Sequence, residues 1–304
     1  MLPETSTLVR TGGGASVPPG DDLRSLAAGL DRLQTSADTE RSRWRRFVAS
    51  VVPPIVFVAL LIVAWQLFVV IAQPRPDIVP SPADVAAALG DAWASGRLPT
   101  AIVTSLERGI LGFLISIVVA TPIGLLLAEV RPIRRAAGPI ISGLQVLPSV
   151  AWVPAAILWF GLTDATAYFV VLMGAIPSIV NGLVSGVDQV PPQLRRVGTI
   201  LGARRFRLAT LIVLPAALPG YVAGLKQGWA FAWRSLLAGE LLVLIAGKAS
   251  LGRELDTARQ FNDIPALYAT MIVILALGIA VDAVFGYAER RIRRRYGLVD
   301  AASR

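Results

Sequence analysis

The chain has 304 residues, 55% of them hydrophobic and 16% charged, and its mean hydropathy is +0.64. Soluble domains are about 45–50% apolar and about 25% charged, so this composition excludes an ordinary water-soluble core. The net charge of +9 comes largely from arginines at the ends of apolar blocks, which indicates membrane topology and not a nucleic-acid-binding face. The absence of cysteine and histidine excludes disulfides, thiolate or imidazole metal sites, and Ser-His or Cys-His catalysis.

The amino-terminal segment 1–48 is rich in Gly, Pro, Ser, Thr and Asp and has no apolar block. Because it cannot bury enough surface to offset the entropy of folding, we predict a mostly disordered cytoplasmic tail. Leu23, Leu26, Leu30 and Leu33 recur within it at helical spacing. This spacing leaves open a short amphipathic helix on the membrane surface.

Six apolar blocks follow, each of the length that crosses about 30 Å of hydrocarbon. They predict an all-α integral membrane protein with about six transmembrane helices. The predicted crossings are 51–72, 109–128, 139–160, 167–187, 208–245 and 265–287. Between the first two, a short helix is expected around 84–94.

Basic clusters alternate along the chain with loops that are poor in positive charge. Arginines concentrate before the first crossing, after the second, between the fourth and the fifth, and after the last. By the positive-inside rule these clusters are cytoplasmic. With six crossings, both termini are then expected in the cytoplasm, including a short carboxy-terminal tail at 299–304.

Polar side chains in the fifth crossing are candidates for a translocation path, because a charge at mid-bilayer is costly unless it faces a cavity or a partner. Lys226, Trp229, Trp233 and Glu240 fall on one helix face, and Arg234 lies beside that face. Such a stripe should face protein or water. It lines a permeation path or packs on another helix, with Glu240 neutralised by a neighbour.

Further path candidates lie beside prolines in the third and fourth crossings. Proline breaks are tolerated in membrane helices that line a cavity or pack on one another. The candidates there are Gln145, Ser149 and Trp152 around Pro148, and Asn181 after Pro177. Four charged residues near the ends of crossings are interpreted as interfacial: Glu107, Arg108, Glu129 and Asp282.

The chain contains no G-x-x-x-x-G-K-[ST] sequence, since Gly247-Lys248-Ala249 lacks the upstream glycine and the following hydroxyl residue. A P-loop is therefore excluded, and ATP-driven transport would need an ATPase on another polypeptide. The chain by itself is expected to be no enzyme and to bind no cofactor or metal. The alternatives are an ion-coupled secondary transporter, for which Glu240 is the plausible mid-membrane carboxylate, and an intramembrane enzyme.

The segment between the fourth and fifth crossings contains a spaced motif. It consists of Arg196-Val197-Gly198, then Gly202-Ala203, and then Ile212, Leu214 and Pro215. This resembles the EAA loop of binding-protein-dependent ABC importer permeases, whose pattern is E-A-A-x-x-x-G-x9-I-x-L-P. The glycine and the I-x-L-P match at the family's spacing, whereas Arg-Val-Gly replaces the E-A-A triplet.

Two other runs are similar to the permeases for sulfonates, taurine, nitrate and related solutes. They are Gln-Val-Leu-Pro-Ser-Val-Ala-Trp-Val-Pro at 145–154, followed by Leu-Trp-Phe-Gly at 158–161, and Leu-Pro-Ala-Ala-Leu-Pro-Gly at 214–220. The resemblance extends over residues 50–298. It implies a type I (MetI-like) permease core at 49–298, in the bacterial plasma (inner) membrane.

The resemblance also implies the partners and the solute. It implies a second copy of the chain, two ATPase subunits that bind ATP and Mg, and an external solute-binding protein. The segment 189–208 would couple the permease to the ATPase. The solute would be a small anion, with an aliphatic sulfonate or taurine expected first and nitrate also open.

Overall fold

The computed structural model describes residues 39–243 and 248–295, and every regular element within these ranges is helical. The elements are α1 (Thr39–Ala72), α2 (Pro82–Ala94), α3 (Arg97–Glu129), α4 (Arg131–Val146), a 3-10 turn (Ser149–Trp152), α5 (Val153–Phe160), α6 (Asp164–Asp188), α7 (Pro192–Ile200), α8 (Arg205–Leu208), a π turn (Ala209–Val213), α9 (Leu214–Leu242), α10 (Leu251–Gln260) and α11 (Ile264–Arg295). The all-α prediction is confirmed. The predicted helix at Leu23–Leu33 and the tail at 299–304 lie outside the described residues.

Within residues 39–243 and 248–295, five helical stretches are long and apolar enough to cross a membrane, and a bent pair raises the number to six if it is one crossing. The five are Val52–Ala72, Arg97–Glu129, Asp164–Asp188, Ala209–Leu242 and Ile264–Arg294. The pair consists of α4 and the stretch Ser149–Phe160, with a bend of 99° between them. The prediction of about six crossings is confirmed, and the third crossing is broken at Leu147-Pro148, beside the proline that the sequence indicated.

The described chain divides into two compact units between Ala64 and Trp65, within α1. In the first unit, α1 begins at Thr39, so the helix includes arginines that the sequence assigned to the tail. From Val52 to Val63 its large apolar side chains are exposed. A helix with apolar side chains on every side is one that lipid solvates.

The core of the second unit is built around α6, which packs most extensively against α9 and next against α3. Ile179 and Leu183 of α6 and Leu236 of α9 are fully buried there. At the α6–α9 crossing the two backbones touch, because the Cα atoms of Gly182 and Gly224 meet with no side chain between them. Small residues that let helix backbones approach are typical of membrane helix pairs.

The two ends of the second unit differ, and we name them after their short helices. At the α10 end, α10 lies beside the start of α3 and the end of α9. At the α7 end, Arg195 of α7 pairs with Glu129 at the end of α3 at 3.1 Å. Arg134 of α4 pairs there with Asp188 at the end of α6.

Local sequence signals explain several helix boundaries. The predicted helix around 84–94 is confirmed as α2, which starts with a capping box between Ser81 and Asp84 and has proline at its first position. The helix α10 begins after Ser250, whose side chain caps its first turn. The fifth crossing begins with the π turn, which ends two residues before Pro215.

We expect Gly182→Ala to destabilise the protein and Gly90→Ala not to. A methyl group at position 182 would overlap the backbone of Gly224, so the helices must separate, at a cost of about 1–3 kcal/mol. Gly90 lies in α2 with open space around it, and alanine there gains up to about 1 kcal/mol of helix propensity. Melting temperatures in detergent compare the two. Equal stability of both variants would contradict the close α6–α9 contact.

Candidate translocation site and coupling loop

Polar side chains gather where the third crossing is broken. Asn181 of α6 donates a hydrogen bond from Nδ2 to Oε1 of Gln145 at 2.6 Å, near the end of α4. The Oγ atoms of Ser149 and Ser235 lie 2.6 Å apart and share a hydrogen bond between the 3-10 turn and α9. A backbone break at membrane depth is tolerated where it lines a cavity or is buried in protein. The structure therefore brings together three predicted path residues, Gln145, Ser149 and Asn181.

Arg234 of α9 lies at the same place. Its side chain is exposed, its Nε donates to the carbonyl of Ala230, and its guanidinium lies 4.9 Å from the ring centroid of Phe231. Within the described ranges it forms no ion pair with a carboxylate. The guanidinium thus keeps donors free for a further anion.

Two cavities meet at Arg234. One, of about 280 Å³, is lined by Gln145, Ser149 and Phe231 around the helix break. The other, of about 680 Å³, is a mostly apolar groove between α9 and α11, and Arg234 and Asp282 are its charged lining residues. An anion bound at Arg234 would therefore have the side chains of Gln145 and Ser149 on one side and the apolar groove on the other.

The remaining path candidates have packing roles in the described structure. Trp229 and Trp233 are buried, with rings 6.1 Å apart, and Trp229 also contacts Phe113 and Phe285. Trp152 packs edge-on against Phe169 in α6, with ring centroids 6.1 Å apart. Both tryptophans also line the groove that Arg234 lines.

Glu240 lies away from both cavities and is paired within the chain. Its Oε1 lies 3.2 Å from Nη1 of Arg108, and both side chains are buried. Glu240 is therefore neutralised by a neighbour, one of the alternatives left open by the sequence, and Arg108 is that neighbour. No local pattern identifies Arg108 as the partner of Glu240, because the two residues are 132 positions apart.

Two other intramembrane charges are also paired. Lys226 of α9 lies 3.3 Å from Asp282 of α11, and both remain partly exposed. Asp282, which the sequence indicated as interfacial, joins α11 to α9 through this pair. Neutralisation by a partner explains how these charges are tolerated at this depth.

The coupling-loop candidates form a compact structure around α7. Arg196, Val197 and Gly198 lie in α7, and a Cβ at Gly198 would overlap the side chains of Ile212 and Leu208. Gly198 therefore lets α7 pack closely on Leu208 and on the π turn, and a larger residue there would displace the ends of the Leu208 and Ile212 side chains. Gly202, with φ +85°, reverses the chain in a conformation that favours glycine, and Ala203 follows it. Leu214 and Pro215 begin α9.

Residues 120–294 match the family described as binding-protein-dependent transport system inner membrane component. The matched segment is more than half of the chain and includes the helix break, α7 and Arg234.

The chain belongs to this family.

It is an ABC importer permease, the non-enzymatic membrane component of a transporter whose ATPase is a separate chain. Such a component works with an ATPase and a binding protein. The comparisons do not favour the alternative of an ion-coupled secondary transporter.

Curated relatives agree on the permease and differ in the solute that they name. The permease is 31% identical over 235 residues to a putative ABC transporter permease protein of Methanocaldococcus jannaschii, which covers 76% of this chain and 87% of that protein. It is 30% identical to the riboflavin transport system permease protein RibX of Chloroflexus aurantiacus, covering 77% and 87%. It is 24% identical to the putative aliphatic sulfonates transport permease protein SsuC of Bacillus subtilis, covering 89% and 96%.

Among solved structures, the permease is similar to a chain of the MetNI methionine ABC transporter in an inward-facing conformation. The TM-score is 0.54 at 20% sequence identity, over 67% of this chain and 97% of that chain. This likeness shows the fold, and the predicted MetI-like core is confirmed.

We expect the cavity at the helix break to admit water. The permease has no cysteine, so a single Ser149→Cys variant reports that position alone. A membrane-impermeant thiol reagent should modify it faster than Val118→Cys on the exposed apolar side of α3, because the reaction needs a hydrated thiolate. Rates of labelling in proteoliposomes give the comparison. Slow labelling of both variants would place position 149 in a dry environment.

Proposed function

We propose that this permease carries a small anionic solute and that Arg234 binds the anionic group in transit. The observation that supports this most directly is the position of an exposed guanidinium, without a carboxylate partner in the described structure, beside a broken crossing and at the junction of two cavities. Gln145, Ser149 and Asn181 would add hydrogen bonds around the solute. Guanidinium groups bind planar or tetrahedral oxyanions with charge-assisted hydrogen bonds.

The depth of Arg234 supports the same proposal. It lies eight residues before the end of α9, which corresponds to about 12 Å along the helix. An arginine this deep costs about 2.5 kcal/mol or more on insertion scales if it faces lipid. The cost favours a position facing the path or a protein partner.

The neighbouring groove favours an aliphatic sulfonate or taurine over nitrate. Its lining by Trp233, Ile274 and Leu275 can hold an apolar part of a solute while Arg234 holds the anionic end. Each buried methylene contributes about 0.8 kcal/mol, and nitrate has none. The relative named for aliphatic sulfonates is consistent with this choice, whereas RibX is named for a different solute.

We propose that two copies of the permease enclose the path. The face formed by α9 and α11 carries Lys226, Arg234 and Asp282, all partly or fully exposed within membrane-spanning helices. Lipid solvates such a face poorly. A second copy would cover it and close the open side of the cavities in a plasma-membrane homodimer.

We propose that the segment 189–208 is the contact with the ATPase and that the α7 end, with both termini, is cytoplasmic. Leu194, Ile200 and Leu201 are exposed apolar residues on or next to α7, suited to a groove on a soluble partner. Arg195 and Gly198 attach α7 to α3 and to the π turn before α9. Movement of α7 would therefore reach α9 and Arg234. ATP and Mg would be held by the partner.

We expect Arg234→Gln to reduce anion uptake by about 10- to 100-fold, because it removes a charge-assisted hydrogen bond worth about 1.5–3 kcal/mol. The melting temperature of the permease should stay unchanged, since the hydrogen bond and the ring contact of Arg234 are both to its own helix. Uptake of alkanesulfonates of increasing length, compared with nitrate, is measured in proteoliposomes with the ATPase and the binding protein. For each solute, the uptake rate of the wild type is divided by that of the variant. The selectivity of the binding protein is the same in both complexes and cancels in this ratio.

Arg234→Lys is the matched control, because it keeps the charge and loses the planar fork. It should retain more uptake than the glutamine variant. Normal uptake by Arg234→Gln would refute the anion site. A wild-type complex that transports only neutral solutes would refute the anionic class itself.

We expect Gly202→Leu to uncouple uptake from ATP hydrolysis while leaving the membrane helices folded. A leucine at φ +85° is strained by about 1–2 kcal/mol and would reorient the turn after α7. Uptake per ATP hydrolysed is the measurement. Single cysteines at Ile200 and Leu201 should capture the ATPase with a thiol crosslinker, whereas Phe261→Cys at the α10 end should not. Failure of every cysteine in 189–208 to capture it would refute the assignment.

A further inference from the structure

A buried ionic cluster at the α10 end has no part in the proposed path or in the coupling loop. Arg108 of α3 lies at its centre and is 5% exposed. Its Nη1 lies 3.2 Å from Oε1 of Glu240, and its Nη2 lies 2.8 Å from Oδ1 of Asp164. Lys248 pairs with the other oxygen of Asp164. The cluster joins three crossings and the segment that leads into α10.

The cluster also holds the start of α10. Ser105 donates from Oγ to Oε2 of Glu240 at 2.7 Å and accepts from the backbone N–H of Leu251 at 2.9 Å. Oε2 of Glu240 also accepts from the N–H of Gly252 at 3.3 Å. Two of the four N–H groups that a helix start leaves unpaired are thus satisfied by α3 and α9.

The start of α10 lies in direct contact with the backbone of α9. A Cβ at Gly252 would overlap the Cβ of Glu240 and the backbone of Leu241. Breaking a buried charge pair is strongly unfavourable because it leaves an unpaired charge. The start of α10 and the end of α9 therefore behave as one rigid part.

The same α9 extends to the other end of the permease. From Glu240 it runs past Arg234 to Leu214, and the π turn before it packs on Gly198 of α7. One helix thus connects the surface of α10 with the coupling loop. At the α10 end, the exposed ring of Phe261 directly follows α10.

We propose that Ser105, Arg108 and Glu240 form a latch that makes α10 and α9 move together, so that docking of the binding protein on α10 is transmitted to Arg234 and α7. The three are positioning residues and need not contact the solute. The inference rests on the proposed orientation, in which the α10 end is external.

Ser105→Ala tests the latch, and Ser116→Ala is its matched control. Both serines lie in α3 at 0% exposure, but Ser116 donates only to Gly112 of its own helix. In proteoliposomes with the ATPase, the ratio of ATP hydrolysis with substrate-loaded binding protein to hydrolysis without it is measured. Ser105→Ala should lower this ratio by about 2- to 30-fold with basal hydrolysis unchanged, as expected for a residue along a coupling route, and Ser116→Ala should not.

Arg108→Lys is a second variant, because a lysine keeps the charge but cannot bridge two carboxylates as a guanidinium does. It should lower the same ratio. Equal ratios for Ser105→Ala and Ser116→Ala would overturn the latch. So would a proportional loss of basal and stimulated hydrolysis in Ser105→Ala, which would show a structural role.

A fluorophore attached to the cysteine of Phe261→Cys shows whether the latch fails independently of the proposed function. ATP binding by the ATPase should change its emission in the otherwise unchanged complex, without any binding protein, and Ser105→Ala should reduce the change. A label that is silent toward ATP while uptake proceeds would overturn the latch alone. A complex that never transports an anion would refute the proposed function, while the response of the label would still decide the latch.

Discussion

The direct backbone contact between α6 and α9 is the constraint on which the rest of the structure depends. Gly182 meets Gly224, and Gly186 meets Gly220, so the two helices lie closer than any side chain between them would allow. In a membrane no hydrophobic effect drives two helices together, and close van der Waals packing has to supply the stability. This contact fixes where every polar group of α9 lies.

Because the position of α9 is fixed, the neighbouring helices determine which of its charged residues form ion pairs. Glu240 meets Arg108, and Lys226 meets Asp282, so each of these charges is neutralised inside the unit. Arg234 meets a helix break and an open cavity instead. The same helix thus presents two structural ion pairs and one guanidinium that is available to a solute.

The family comparisons and the geometry answer different questions. The match over residues 120–294 shows that the chain is an ABC importer permease, but relatives in this group are named for different solutes. The cavities beside Arg234 bear on the solute because their charge and apolarity restrict what fits. Within the Arg-Val-Gly that replaces the E-A-A triplet, Gly198 lies against the side chains of Ile212 and Leu208.

The sequence by itself determined the class of protein, the number of crossings and the coupling-loop motif. These depend on local quantities, namely the length of an apolar run, the position of arginines and the spacing of Gly202 from Pro215. The sequence also indicated single candidates for the translocation path, namely Gln145, Ser149, Asn181 and Arg234. A polar side chain in an apolar crossing is costly unless it faces a cavity or a partner.

Only the tertiary structure decided which of these residues meet. In the fifth crossing, Glu240 and Arg234 lie six positions apart, about 120° around the helix axis, and one is buried against Arg108 while the other faces a cavity. Periodicity gives the direction of a side chain around its own helix and not the identity of the neighbouring helix. The 99° bend at Leu147-Pro148 was likewise hidden, because a proline permits a turn without specifying its angle.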